Sequence, residues 1–336
     1  MTRTVVVDAD VLGRRRTGDE TYVVNLLREL GRLGSDLRIV ALTRRPDLVP
    51  AGIEPHLLGT RRQEVRMAAT VPLALRRLRP DLVHFQHVLP PLHRGAAVVT
   101  VHDLSFERDP SLMSRWDRFV FRTLVPPSVR RAQRVLTVSA RTRRDLEQLY
   151  GVPAGKVIVT PNGVDPRFAP GGEPGDYALF VGAIQARKDP LAALDAATEA
   201  GLRLVVVGPE KEPELARTLR ERGADLRGYV GDDELAGLYR AASVLVFPSH
   251  YEGFGLPVVE AMASGTPVVA SDDAAVREVA GDAAIYAERA ELGAAIRRAV
   301  AERAARSKAG LERAKLFSWT DTARKTLAVY EEVLRG

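Results

Sequence analysis

The chain contains no cysteine, and that absence removes disulfides, thiolate metal sites and a cysteine nucleophile from consideration. It also fits a reducing compartment. No stretch approaches the ~18 uncharged apolar residues of a membrane span. Val5-Val6-Val7 is too short for the core of a secretory leader, and its flanks are wrong. The expectation is a soluble, cytoplasmic protein that touches at most the inner face of a membrane. No Gly-x-Gly-x-x-Gly follows any strand candidate, which argues against a bound nicotinamide dinucleotide.

What is present suits two domains. At 336 residues the chain is too long for one ordinary core and right for two of roughly 150 residues each. The net charge of +6 is uneven: residues 1–150 hold 26 Lys and Arg against 16 Asp and Glu, and the remainder 23 against 27. A basic first half suits a phosphorylated substrate, an anionic lipid surface or nucleic acid. Solvated, arginine-rich helix faces are the plain alternative. The acidic second half speaks against nucleic acid as a partner.

Short β-branched runs alternate with amphipathic stretches from end to end. Strand candidates are Thr4–Val7, Leu37–Leu42, Leu82–Phe85, Ala97–Val101, Val135–Val138 and Val157–Val159. Several are apolar throughout, as strands buried on both faces of a parallel sheet must be. Pro161–Asp176, rich in Pro, Gly and Asp, interrupts the rhythm. The series then restarts at Ala178–Val181, Leu204–Val207, Leu226–Val230, Val244–Phe247 and Pro267–Ala270. The pattern predicts two doubly wound, Rossmann-like α/β domains facing across a cleft. Their bounds are 1–165 and 177–318, with a linker at 166–176. A closing helix in 319–336 packs back on the first domain.

The most informative stretch is Pro248-Ser-His-Tyr-Glu-Gly-Phe-Gly-Leu-Pro-Val-Val-Glu-Ala-Met-Ala-Ser-Gly-Thr-Pro267, directly after a strand. Pro257 suits the first turn of a helix and Gly265 its C-terminal cap. Gly253-Phe254-Gly255 brings unencumbered backbone N–H groups to the helix N-terminus, where anions bind. Glu252 and Glu260 would repel phosphates but can accept hydrogen bonds from sugar and ribose hydroxyls. A helix-capping loop with a surface glutamate is the plain alternative.

This Glu-(seven residues)-Glu pattern enclosing Phe-Gly-Leu-Pro resembles the donor-site signature of family 4 retaining glycosyltransferases of the GT-B fold. The resemblance extends over nearly the whole chain, especially toward bacterial polysaccharide mannosyltransferases. It implies that Glu252 contacts the donor sugar and Glu260 the nucleotide ribose. Amides near Gly253, Phe254, Gly255 and Leu256 then meet the sugar and diphosphate. In Val181-Gly182-Ala-Ile-Gln-Ala-Arg187-Lys188-Asp189, a strand, Gly182 and a basic pair open a helix. Cations there are unfavourable unless an anion is near. The resemblance gives Lys188 and Arg187 to the donor's β-phosphate. The chain departs from the family pattern with Ala183 where many relatives carry a cation, and with Asp189 where Asn is frequent.

Gly18 lies in the loop joining the first strand to its helix and would let backbone approach the diphosphate. A helix cap by Thr17 or Asp19 is the alternative. His102 and Asp103 follow a buried strand; the resemblance places His102 against the donor sugar and leaves Asp103 to the acceptor. His84 and His87 are read as loop or acceptor-site residues. Ser139 is expected to cap Ala140–Tyr150, and Asn162-Gly163 to turn. Asp8-Ala9-Asp10 has the form of a metal-binding pair but reads better as loop or acceptor contact, so no metal and no resident cofactor are expected. The co-substrate is a nucleoside-diphosphate sugar, GDP-mannose first and a UDP-sugar second.

The reaction implied is hexosyl transfer, mannose first, with retention, to a saccharide or lipid-linked acceptor in polysaccharide or glycolipid assembly. The leaving phosphate oxygen takes the acceptor's proton. The alternatives are a GT-B sugar-nucleotide epimerase or a phosphorylase, and outside enzymes a basic nucleic-acid-binding protein. Arg61–Arg79 and Arg115–Arg134 combine cations with apolar bulk, as peripheral contact with an anionic membrane requires. Helices that bury that bulk in their own domain are the competing explanation.

Overall fold

The computed structural model describes residues 2–14, 17–60, 65–108 and 115–336. They form two compact units, Met1–Gly163 with Trp319–Gly336, and Val164–Ser318.

The first unit is built on a parallel sheet of β1 (Thr4–Asp8), β2 (Arg38–Thr43), β3 (Glu54–Leu57), β4 (Leu82–Gln86), β5 (Ala97–Val101), β6 (Arg134–Thr137) and β7 (Val157–Val159). The spatial order is β3-β2-β1-β4-β5-β6-β7. Every residue of β1 and β5 is buried, which their unbroken apolar runs require. The helices are α1 (Thr17–Leu33), α2 (Val71–Leu78), α3 (Ser105–Arg108), α4 (Arg115–Arg131) and α5 (Ala140–Tyr150). The chain's last helix, α13 (Trp319–Arg335), completes the unit. One core joins Val83, Phe85 and Val99 of the sheet to Leu75, Val125, Val129 and Leu146 of α2, α4 and α5. Each such side chain contributes about 1.5–3 kcal/mol on burial. α13 is fastened by polar contacts: Tyr330 Oη lies 2.6 Å from His84 Nδ1, and Thr322 Oγ1 donates to the Pro161 carbonyl at 2.5 Å.

The second unit repeats the plan with β8 (Tyr177–Val181), β9 (Arg203–Val207), β10 (Asp225–Gly228), β11 (Val244–Phe247), β12 (Val268–Ala270) and β13 (Ile285–Tyr286). All are parallel, in the order β10-β9-β8-β11-β12-β13. Around them lie α6 (Pro190–Glu199), α7 (Pro213–Glu221), α8 (Asp232–Ala241), α9 (Leu256–Ala263), α10 (Ala274–Ala280), α11 (Leu292–Ala301) and α12 (Arg303–Ala314). The loops after β8 and β9 touch so closely that a Cβ on Gly208 would sit 2.0 Å from the Gly182 carbonyl oxygen. In each sheet the order reverses beside its first strand, at β1/β4 and at β8/β11. Such switch points open a crevice at the carboxyl ends of the strands.

Several expectations need correction. His84 is not a loop residue: it lies within β4, fully buried, between Tyr330 and Thr100. Asn162-Gly163 makes no turn; both residues are buried, and the turn falls at 166–167. The segment read as a linker packs with the second unit, where Gly175 N donates to the Ala241 carbonyl at 2.7 Å and Phe168 meets the edge of Tyr239. Thr17 and Asp19 are not caps but lie inside α1, and the position before Thr17 is outside the described residues. α4 runs through Pro126 and Pro127 without a break. Ser139 does cap α5, accepting from Thr142 N at 3.1 Å.

Candidate functional site

In the second unit, β8 delivers Gly182 and then a single tight turn carrying Arg187 and Lys188. Asp189 closes that turn in the left-handed region (φ +46°) and caps α6, its Oδ1 accepting from Ala192 N at 3.2 Å. Asn and Asp are the side chains that tolerate this backbone, so either serves at the position. The other oxygen of Asp189 accepts from Arg289 at 2.6 Å.

β11 delivers the partner loop. Arg187 donates to the Tyr251 carbonyl and receives a 2.9 Å bond from His250 N. Lys188 Nζ is ion-paired with Glu252, over the ring of Phe247, and Arg187 Nη1 lies 3.8 Å from the same Glu252 oxygen. All three charged side chains are largely buried. Two cations therefore converge on one carboxylate and leave an excess positive charge at the strand ends. Gly255 (φ +103°) opens α9, a conformation that favours glycine, and the helix starts without a side-chain cap. Uncapped N–H groups beside that excess charge make an anion seat. Phe254 is buried against Phe317, and Leu256 and Pro257 begin the helix.

Glu260 lies on α9 and is 8% exposed, accepting from Tyr239 Oη at 2.8 Å. Burial pushes its carboxyl up to about 7, against the pull of that hydrogen bond. It is a hydroxyl acceptor that is only half ionised near neutral pH and gains its full charge above it.

The first unit holds a different set. His102, just past β5, donates from Nε2 to Gln86 Oε1 at 2.9 Å and packs its ring edge-on to Tyr22 at 4.7 Å. Burial lowers its pKa to about 4, so it is a neutral imidazole near pH 7. His87 sits beside it, ring centroids 5.4 Å apart, in the left-handed region (φ +57°). Its buried Nδ1 has no hydrogen-bond partner. A strained histidine with an unpaired nitrogen costs stability, and such costs collect at functional sites. Asp19, from the first turn of α1, completes a group with His87 and His102 whose ligand atoms lie within 4.8 Å of one another. Among the described residues this is the set able to hold a metal ion. Gly18 is exposed, and a Cβ there would touch nothing within 4 Å.

Asp103 turns inward, accepting from Ser105 N and Oγ at 3.0 and 2.9 Å, and so starts α3. Asp8 and Asp10 are buried among arginines: Arg66 lies 2.7 Å from Asp8, Arg44 2.7 Å from Asp10, and Arg14 also pairs with Asp10. Their charge is neutralised within the fold.

Tyr239, Tyr22 and Gln86 escaped the sequence reading as site residues, and Asp19 was named there only as a helix cap. Tyr239 sits on a helix without any motif, and Gln86 and Tyr22 act through partners distant in sequence. Only Asp19 carried a signal, beside Gly18.

A family model described as Glycosyltransferase Family 4 matches residues 16–168, and one described as Glycosyl transferases group 1 matches residues 175–302. O-antigen chain mannosyltransferase B of Escherichia coli is 30% identical over 327 residues, covering 88% of this chain and 83% of that protein. Sucrose-phosphate synthase from Thermosynechococcus elongatus superposes with a TM-score of 0.81 at 19% identity over 99% of each chain. The Anabaena protein HepE, solved with UDP-glucose, superposes at 0.76 and 15% identity, covering 98% of this chain and 99% of that one. The fold is that of the GT-B enzymes, and the chain belongs to the family 4 glycosyltransferases.

Proposed function

We propose that the chain transfers a hexose from a nucleoside-diphosphate sugar to an acceptor hydroxyl with retention and without a metal. The convergence of Arg187 and Lys188 on Glu252 beside the uncapped start of α9 carries this reading. A diphosphate entering there takes over the two cations and the helix amides, and Glu252 turns to the sugar hydroxyls. Glu260 with Tyr239 accepts the ribose hydroxyls. As the glycosidic bond breaks, charge grows on the β-phosphate, where the cations stabilise it. The departing phosphate oxygen takes the acceptor's proton, so no separate base is needed. His102, neutral and held by Gln86, offers a hydrogen bond to the sugar rather than a charge.

Mannose from GDP-mannose is the first choice of donor, because the Escherichia coli relative is named a mannosyltransferase. A UDP-sugar is second, because HepE was solved with UDP-glucose. The acceptor is a saccharide or lipid-linked saccharide of polysaccharide or glycolipid assembly, met in the cytoplasm at the inner membrane face. No described helix is long and apolar enough to cross a membrane.

The test is transfer assayed with a panel of nucleotide sugars, the product anomer read by NMR, with and without excess EDTA. Retained configuration and undiminished rate are expected. Loss of rate in EDTA, restored by a divalent cation, would instead favour a metal on Asp19, His87 and His102. Product formed without an acceptor, or only with inorganic phosphate, would point to an epimerase or a phosphorylase.

A further inference from the structure

The basic helices of the first unit commit only part of their apolar side chains to the core. α2 buries Val71, Ala74 and Leu75, and α4 buries Val125 and Val129, in one cluster against the same sheet face. Other large apolar residues of this layer point outward: Leu73 is 55% exposed, Trp116 63% and Phe119 60%. Trp116 and Phe119 lie one helical turn apart with ring centroids 6.0 Å from each other. The loop 88–96 is laid against α4, with Leu89 N donating to Ser128 Oγ at 2.9 Å and Arg131 donating to the Pro91 carbonyl at 3.0 Å. It holds up Leu92, 78% exposed.

Single exposed apolar residues are ordinary, and the described exposed ones of the second unit stand singly in sequence, Val300 on α11 and Tyr229 and Leu316 just past β10 and α12. Adjoining exposed aromatics on a mostly basic layer are not ordinary. Exposed Arg76 and Arg77 flank Leu73, exposed Arg94 follows Leu92, and exposed Arg130 continues along α4, where Arg122 pairs with Glu107 at 3.0 Å. Neither α2 nor the loop 88–96 contains an acidic residue, and α4 contains only Asp117.

We propose that this face, made by the outer sides of α2 and α4 with Leu92, seats the first unit on an anionic bilayer. The inference rests on the peripheral-membrane part of the reading above and gives it an address. Trp116, Phe119 and Leu92 enter the acyl boundary, where indole and phenyl rings anchor. The guanidinium groups pair with lipid phosphates around them, each worth about a five-fold gain in partitioning near a charged surface. Complementarity of charge selects the partner: an uncharged partner would leave the arginine rim unanswered, and a soluble polyanion would leave the aromatics in water. Arg61, Arg62 and the side chain of Arg115, read with these stretches in the sequence, lie outside what the structure describes.

The full chain is mixed with phosphatidylcholine vesicles, with or without about 30% phosphatidylglycerol, at low and high salt. Co-sedimentation with the anionic vesicles alone, reversed by salt, is expected. Trp116 emission should shift to the blue and be quenched by brominated acyl chains, while Trp319, 5% exposed, stays unquenched. Trp116→Ser with Phe119→Ser should abolish the quenching. Arg76→Glu, Arg77→Glu and Arg130→Glu together should weaken partitioning at least about 100-fold. Nucleoside-diphosphate stabilisation, followed by thermal unfolding in the same samples, reports whether each variant is folded. A wild type that ignores anionic vesicles, prefers a soluble polyanion, or keeps its binding in either variant overturns the proposal. Vesicle binding without nucleotide stabilisation strikes the donor-site reading and leaves this face standing.

Discussion

The two units share a parallel sheet and a switch point, yet they furnish their strand ends in opposite ways. The second gathers ions: Lys188, Arg187 and Glu252 compensate one another, with one positive charge in excess. The first gathers His102, Gln86, Tyr22 and His87 beside the carboxylate of Asp19, with burial holding His102 unprotonated. An ionic cluster can exchange its internal carboxylate for an incoming phosphate with little new desolvation. A cluster without lysine or arginine can position a hydroxyl but has no fixed cation to grip a diphosphate. The same backbone plan therefore yields two chemistries, set by which side chains follow β5, β8 and β11.

The largest expected effect breaks the ionic side. Glu252→Gln should cut transfer by about 10³-fold, as loss of a group acting on the reacting sugar does. Nucleoside diphosphate should bind as well or better, because Lys188 no longer has to leave a carboxylate. Steady-state rates and calorimetry read the two quantities separately, and near-normal turnover would remove Glu252 from the site. Lys188→Ala should act in the other order. Its diphosphate affinity should fall by about 2 kcal/mol, the worth of a charge-assisted hydrogen bond, or roughly 30-fold. An unchanged dissociation constant would dismiss the phosphate role.

The next effect sharpens the comparison through pH. Glu260 is raised to about 7 in the fold, whereas an unfolded glutamate titrates near its ordinary 4.5. Its burial destabilises the protein above pH 7, and that burden is relieved as pH falls from 7 toward 4.5. His84 behaves oppositely: burial lowers it from 6.5 to about 3, so the stability it lends is complete above 6.5 and is lost as pH falls below it. At pH 5 each group accounts for about 2–3 kcal/mol, of opposite sign. The stability difference between wild type and Glu260→Gln should change by that amount between pH 5 and 7.5, as denaturant titration would show. A difference flat with pH would mean that Glu260 is not buried as a neutral acid.

What could be read from sequence followed the same division. Unbroken apolar runs such as Thr4–Val7 and Val244–Phe247 announce buried parallel strands because nothing else tolerates them. β3 went unseen: Glu-Pro-His-Leu is an edge strand with no buried residue, so no hydrophobic pattern marks it. β13, only two residues long, carries too little pattern to register. The charged candidates Arg187, Lys188, Glu252 and Glu260 were nameable because they sit in contiguous motifs. The first unit's set was harder, since His102 meets Gln86 and Tyr22 only after strands from distant sequence pair. His84 misled because a histidine inside an apolar run looks like a loop residue, whereas two hydrogen bonds satisfy it within the core.

The smallest effect tests Gly18, where a glycine has no reason of its own in the folded chain. It lies in the first turn of α1, and a Cβ there would meet nothing within 4 Å. Gly18→Ala should therefore leave the unliganded protein intact or raise its stability by about 0.5 kcal/mol, since alanine narrows the unfolded ensemble and favours helix. The role proposed for Gly18 is to let backbone approach the donor's diphosphate. The substitution should slow transfer by about ten-fold while the thermal midpoint holds or rises, since a methyl group displaces a phosphate oxygen from the helix amides. The opposed directions make the result decisive. Lower stability with matching loss of rate would assign Gly18 to the fold, and unchanged rate would leave the donor's phosphates to the second unit alone.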